Sequence, residues 1–236
     1  MNDLKKPFIL LDVDDTILDF HADEAIALTR TLEEQGVEVT PERIKRYSEI
    51  NQSMWELLEE GKITRMEVLV RRFELFFKEL GFERSGFETQ AMYEHYLSLG
   101  HHFMPQAEEL LENLYGRYPL YIVSNGTGVV QDGRIASSGI ARYFEKIFIS
   151  ERVGANKPSL EFFEKCFAEI DGFEKDRAII IGDSLTSDIR GGINCGIKTC
   201  WYNPNGKAAR SDINADYEIR ELMELPALIE KVFPGC

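Results

Sequence analysis

Five short apolar runs constrain the fold most: FILLDV (8–13), PLYIVS (119–124), KIFIS (146–150), AIIIGD (178–183) and KTCWY (198–202). Each is nearly continuous in apolar residues rather than alternating, and helical patterns lie between them. A strand that is apolar on both faces must be covered on both faces. The runs therefore predict a parallel sheet with helices on each side. Parallel neighbours need crossover connections, which are right-handed. A sixth, weaker run, ADYEI (215–219), fits an edge strand.

The runs are unevenly spaced. The last four follow closely, but a long helical stretch separates the first from the second. HADEAIALTRTLEEQG is amphipathic and stops at Gly36. Thr40 and Pro41 open a second helix as N-cap and first-turn proline, and Gly61 ends it. Thr64 and Glu67 have capping-box spacing at the head of a third, EVLVRRFELFFKEL, which runs to Gly81. ETQAMYEHYLSLG makes a fourth. These four helices form an inserted bundle over residues 19–100. Residues 1–18 and 101–236 form the core, which resumes near Pro105 with the helix AEELLENLYG. The fold class is α/β: a Rossmann-like parallel sheet with helices on both faces, plus an inserted α-helical cap domain.

Bulk properties narrow the function. With 236 residues, 44% of them hydrophobic, the chain can bury one large α/β core and a small insert. Its formal charge of −14 argues against nucleic acid as a partner, because phosphate neutralisation needs a basic face. An anionic substrate would need local positive charge. Cys166, Cys195, Cys200 and Cys236 make no CxxC pair and have no histidine at zinc-ligand spacing. They read as buried reduced thiols. The apolar run near the amino terminus is too short for a signal peptide, and no segment reaches a membrane span. A soluble, cytoplasmic protein without membrane partners is expected.

The first run raises a chemical question. FILLDVDDTILDF carries a buried-type strand straight into Asp12, Asp14 and Asp15. Carboxylates this close repel, and burial raises the cost. In open parallel sheets, ligands bind beyond the carboxyl ends of the strands. After the second strand come Ser124, Asn125 and Gly126; after the third, a loop carrying Lys157; after the fourth, Gly182, Asp183, Ser184 and Asp188. Alone, Ser124 reads as a helix cap, Lys157 as a solvated surface lysine, and Asp183 and Asp188 as caps. Four such features at four strand ends indicate a site. Asp12, Asp183 and Asp188 suit a hard divalent cation, most simply Mg²⁺, which prefers oxygen ligands. Ser124 and the following N–H groups suit a phosphate oxygen, and Lys157 supplies positive charge. The group held between them would be a phosphoryl.

DVDDT, VSNG, the lysine of NKP and GDSLTSD resemble, in order and spacing, the four motifs of the haloacid dehalogenase superfamily of phosphohydrolases. The helical insert resembles that superfamily's C1-type cap. DVDDTILDF, EEGKITR, YIVSNG, IIIGDSLTSDIRGG and TCWYNP resemble the YjjG/YfnB-type group, whose studied representative is a pyrimidine nucleoside 5′-monophosphatase. The resemblance implies that Asp12 is the nucleophile and forms an aspartyl-phosphate. It implies that Asp14 protonates the leaving alcohol, activates the hydrolytic water and offers its carbonyl to the metal. Asp183 would ligate the metal directly and Asp188 through water. Ser124 and Lys157 would bind the phosphoryl, with backbone N–H groups from Asn125 and Gly126. Thr16 would tie the first loop together.

The chain departs from the family pattern at Asp15, where many members have glycine; this acid is expected to point away from the phosphate. Asp14 favours a phosphatase over a dehalogenase, which needs no leaving-group proton. A phosphonatase would need a cap lysine, for which Lys45, Lys62 and Lys78 are the candidates. The cap would exclude water and select the leaving group, with the EEGKITR turn (59–65) near the site. Phe20, Tyr47, Asn51 and Trp55 could meet a base, against the alternative that they pack the bundle. His101 and His102 read as hinge. The expected function is Mg²⁺-dependent hydrolysis of a small phosphorylated metabolite, a pyrimidine nucleoside 5′-monophosphate, by a monomer or homodimer. The alternatives are a broad-specificity sugar phosphatase, a phosphomutase or a non-catalytic phosphate-binding module.

Overall fold

A computed structural model describes residues 6–235; the readings that touch residues 1–5 and Cys236 lie outside them. The apolar runs become the strands β1 (Phe8–Leu11), β2 (Leu120–Ser124), β3 (Lys146–Ile149), β4 (Ala178–Gly182) and β5 (Lys198–Tyr202). The weak sixth run forms β6 (Tyr217–Ile219) at one edge. All neighbours are parallel, in the order β3-β2-β1-β4-β5-β6. β1, β2 and β4 are buried along their whole length, as their continuous apolar character requires. Leu10, Val123 and Ile180 share a core with Phe162, Phe163 and Cys166 of α8 (Leu160–Ala168).

Two registers position everything functional. Leu11 aligns with Ile122 on β2 and with Ile181 on β4. Asp12 therefore leaves the sheet level with Val123 and Gly182, and the next residues along all three strands emerge together.

The chain divides into two compact units. The sheet unit comprises residues 1–19, 103–128 and 139–236. Within it, Leu18 makes an antiparallel bridge to Phe103, and the Met104 N–H donates to the Ile17 carbonyl at 2.9 Å. The chain thus leaves and re-enters this unit through adjacent, hydrogen-bonded residues.

The second unit holds residues 20–102 and 129–138. Its helices are α1 (Phe20–Glu34), α2 (Pro41–Glu59), α3 (Arg65–Glu79) and α4 (Gly86–Leu97). The sequence caps are present. Thr40 accepts from the Arg43 N–H, and Thr64 and Glu67 form the capping box that satisfies two orphan donors. α5 (Ala107–Leu114) belongs to the sheet unit. All but the first residue of α6 (Gly128–Ser138) groups with the helices, although its sequence follows β2. Val130 is buried in the helical core, and a Cβ on Gly133 would overlap the Ser98 carbonyl, so this helix lies flush against its neighbours. No helix among the described residues is long and apolar enough to cross a membrane. Cys166, Cys195 and Cys200 are free and buried, and burial pushes each thiol up.

Candidate active site

Asp12 is the first residue beyond β1, and its N–H still bonds to the Ile181 carbonyl at 3.0 Å. Its side chain is buried. From the loop after α7 (Ser150–Val153), Lys157 brings its ammonium into the same space, only 1% exposed. Nζ donates to Asp12 Oδ1 at 2.6 Å, to Asp188 Oδ1 at 2.6 Å and to the Val123 carbonyl at 2.8 Å. Three donors meet three acceptors, so the ammonium is fully satisfied without water. Burial pulls its pKa down, but Asp12 and Asp188 outweigh burial and hold it above the usual lysine range.

Asp188 sits on a π-helical turn, Leu185–Ile189, between β4 and α9 (Arg190–Cys195). Its Oδ2 accepts from the Ser184 N–H at 3.2 Å. Gly182 makes room for it: a Cβ there would overlap the Asp188 carboxylate. Asp183 is half-buried at the end of β4. Its N–H donates to Thr16 Oγ1 at 3.2 Å, and its carbonyl accepts from Trp201 Nε1 at 2.8 Å. The Thr16 hydroxyl therefore joins the first loop to the fourth strand end, a longer reach than the expected tie within its own loop.

Asp12, Asp183 and Asp188 each offer a carboxylate oxygen, and the three lie within 4.8 Å of one another. Burial, with the charges of Asp188 and Asp14, pushes Asp12 well above the ordinary carboxylate range against the pull of Lys157. Burial, with Asp15 and Asp188, pushes Asp183 up to about 8. Asp15 adopts φ +58°, the left-handed backbone that glycine adopts most easily, which fits the glycine that many family members carry there, and its negative charge adds to the upward push on Asp183. The cluster gathers three carboxyl groups around the single ammonium of Lys157. Its donors are all oxygens, without histidine or cysteine, which fits a hard divalent cation such as Mg²⁺.

The other sequence candidates take up related positions. Ser124 is buried at the end of β2 and its Oγ accepts from the Gly126 N–H at 3.0 Å, which engages one of the donors expected for phosphate. Asn125 does something the sequence did not indicate. Its Oδ1 accepts from the Lys157 N–H and its Nδ2 donates to the Lys157 carbonyl, both at 2.9 Å. A side-chain amide can satisfy a donor and an acceptor of one residue at once, so Asn125 clamps the backbone that carries Lys157. Asp14 follows in the first loop, in a parallel bridge with Leu18.

Among the helical-unit candidates, two are packing residues. Tyr47 is fully buried against Phe73, Phe76 and Tyr93. Asn51 is buried between Glu24 and Arg72, donating to the first and accepting from the second. Phe20 and Trp55 are half-buried, with the guanidinium groups of Arg134 and Arg65 over their rings. His102 is more than hinge: its Nδ1 lies 2.6 Å from Oδ1 of buried Asp23, whose Oδ2 accepts from buried Arg134 at 3.1 Å.

Residues 9–202 match the family described as haloacid dehalogenase-like hydrolase. The HAD-hydrolase YfnB of Bacillus subtilis is 44% identical over 217 residues, 92% of each chain. A crystal structure of YfnB bound to magnesium superposes with a TM-score of 0.92, covering 95% of this chain and 99% of that one. The pyrimidine 5′-nucleotidase PynA of Streptococcus pneumoniae is 39% identical over 95% of each chain. The pyrimidine 5′-nucleotidase YjjG of Escherichia coli is 30% identical over 97% of this chain and 100% of its own.

Proposed function

This chain belongs to the haloacid dehalogenase-like hydrolases, and from that premise we propose that it is a Mg²⁺-dependent phosphomonoesterase acting on pyrimidine nucleoside 5′-monophosphates. The observation that carries the reading is the buried Lys157 ammonium between Asp12 and Asp188, beside Asp183. It provides a nucleophile, a metal-binding carboxylate set and a phosphoryl-directed cation at adjacent strand ends.

Asp12, the Asp14 carbonyl and Asp183 would hold Mg²⁺, with Asp188, which accepts from the Lys157 ammonium and the Ser184 N–H, contacting it through water. The ion would supply positive charge to the phosphoryl oxygens. An Asp12 carboxylate oxygen attacks phosphorus, the bond from phosphorus to the ester oxygen breaks, and Asp14 gives that oxygen its proton. Asp14, now a base, takes a proton from water, which attacks the aspartyl-phosphate and releases inorganic phosphate and free Asp12. Ser124 contributes its hydroxyl and Lys157 its positive charge where the phosphoryl oxygens gather negative charge. Residues 1–18 and 101–236 act as the hydrolase core, and the inserted helices act as the cap that selects the leaving group. The identity with PynA and YjjG along the whole chain supports the choice of substrate.

The test is phosphate release from a panel of nucleoside monophosphates, sugar phosphates and a generic aryl phosphate, with Mg²⁺ and with chelator. Uridine, cytidine and thymidine 5′-monophosphates should rank first in kcat/KM. Turnover that survives exhaustive chelation would refute the metal role. A sugar phosphate at the head of the ranking would refute the substrate.

A further inference from the structure

Beyond β5 the chain makes a short closed loop, 203–207. Asn203 is 2% exposed and serves as its clasp. Its Oδ1 accepts from the Lys207 N–H at 2.8 Å, and its Nδ2 donates to the Lys207 carbonyl at 3.0 Å and to Glu218 Oε1 at 2.8 Å. The Asn203 N–H is itself bonded to the Ile219 carbonyl at 2.8 Å, and Gly206 closes the turn onto the Asn203 carbonyl at 3.2 Å. A buried asparagine thus anchors one exposed lysine by its backbone to the strand pair β5 and β6.

That lysine reaches back to the acid cluster. Lys207 Nζ lies 3.5 Å from Asp183 Oδ2, with side chains 56% and 19% exposed. β5 itself also meets Asp183, since Trp201 Nε1 donates to its carbonyl. An exposed ion pair adds little to stability, because solvent screens it and the lysine stem loses entropy. A clasp on the backbone is therefore not explained by the pair's own strength. The consequence of the arrangement is local: Asp183 also faces the like charges of Asp15 and Asp188, and Lys207 offsets them.

We propose that Lys207 is the built-in counter-ion of the metal carboxylate Asp183, a positioning residue that engages one of its oxygens and sets how tightly the site takes a divalent cation. The inference rests on the assignment of Asp183 as a metal ligand in the proposed function. Without the ion, the ammonium relieves repulsion among the acids and keeps Asp183 oriented. When the ion binds, it meets this positive charge nearby and is held less tightly than the carboxylates alone would hold it. Coulomb repulsion between a monovalent and a divalent cation a few ångströms apart, in a largely aqueous surrounding, is worth on the order of tenfold in affinity, less at high salt.

The experiment is calorimetric Mg²⁺ binding to the metal-free chain, comparing the unmodified protein with Lys207→Met, Lys207→Arg and Asp183→Asn. Lys207→Met should bind Mg²⁺ about three- to tenfold more tightly at low salt, with the gain shrinking as salt is added. Lys207→Arg keeps the charge and should stay within about twofold of the unmodified protein. Unchanged or weaker binding by Lys207→Met overturns the proposal, as does an arginine variant that behaves like methionine. Asp183→Asn separates the two levels. If it leaves Mg²⁺ binding intact, the metal assignment itself has failed. If it abolishes binding while Lys207→Met changes nothing, only the role of Lys207 has failed.

Discussion

Asn125 grips Lys157 from both sides of its backbone, accepting from its N–H and donating to its carbonyl at 2.9 Å each. The two lie 32 positions apart and share no element, so the ammonium between Asp12 and Asp188 depends on an amide that does not touch it. Asn125→Ala should lower kcat about ten- to a hundredfold, the usual cost of misplacing a site residue by loss of its support. Asn125→Asp keeps the acceptor but loses the donor and should fall between. Steady-state kinetics on a generic aryl phosphate with saturating Mg²⁺ would check both.

Asp12→Asn should reduce turnover at least about a thousandfold, because a neutral amide cannot attack phosphorus. The variant should still fold, since Lys157 keeps Asp188 and the Val123 carbonyl as acceptors. Circular dichroism alongside phosphate release distinguishes lost chemistry from lost structure. Retention of more than a few per cent of the activity would remove Asp12 as nucleophile.

The acid cluster makes stability depend on pH and metal together. An unfolded aspartyl group loses its proton near pH 4, whereas folded Asp183 is pushed up to about 8 by burial and then by Asp15 and Asp188. Between those values the folded state binds more protons than the unfolded state, so stability is greatest below the lower value and falls as pH rises through the upper one. Metal-free protein should therefore lose on the order of 1–3 kcal/mol across this window, after allowance for solvent at a partly exposed group. Mg²⁺ should restore stability most at the alkaline end. Melting temperatures in chelator and in Mg²⁺ across the range would show it; an increment independent of pH would count against the cluster as the metal site.

Gly182 bears directly on Asp188. A Cβ at position 182 would occupy the place of the Asp188 carboxylate, so Gly182→Ala forces that side chain away from Lys157. Overpacking of this kind costs about 1–3 kcal/mol. Activity should fall at least about tenfold, as expected when a site residue is displaced. Thermal unfolding and kinetics of the same preparation would separate the two effects.

In the helical unit, Asp23 is buried with Arg134 and receives His102 on its other oxygen. Removing one partner of a buried pair leaves an uncompensated charge, so Asp23→Ala should destabilise by about 3–5 kcal/mol. Asp23→Asn keeps a hydrogen-bonding shape and should cost less. Urea unfolding would rank them, and equal losses would mean that packing rather than charge governs the site.

The strands were legible because burial on both faces leaves a continuous apolar run, and β1 to β5 need nothing else to be recognised. The helix starts at Thr40 and Thr64 were legible because caps are local chemistry. Asp12, Ser124, Lys157 and Asp183 were legible as strand-end residues because a parallel sheet brings its carboxyl ends to one edge. What stayed hidden was side-chain pairing over long separations. Neither the grip of Asn125 on Lys157 nor the bond from Asp183 to Thr16 leaves a periodic trace. For Tyr47 and Asn51 the sequence left ligand contact and bundle packing both open, and three facing helices settle it by burying them. The association of α6 with the helical unit depends on one flush glycine, Gly133, and one buried valine, Val130, in a segment that otherwise reads as an ordinary crossover.

The stitch between Leu18 and Phe103, backed by Met104 on Ile17, bears on how such a chain can be edited. The doorway of the insertion is only as wide as a pair of bridged residues. Loop-closure entropy grows slowly with length, so the sheet is nearly indifferent to how much polypeptide is looped out there. A short turn could close the gap without orphaning a ladder hydrogen bond, and a different excursion of any size could start and finish at the same two residues. The doorway is thus a single closure point whose ladder survives whatever is looped out, and α6, packed with the inserted helices through Val130 and Gly133, is the segment an exchange would have to repack.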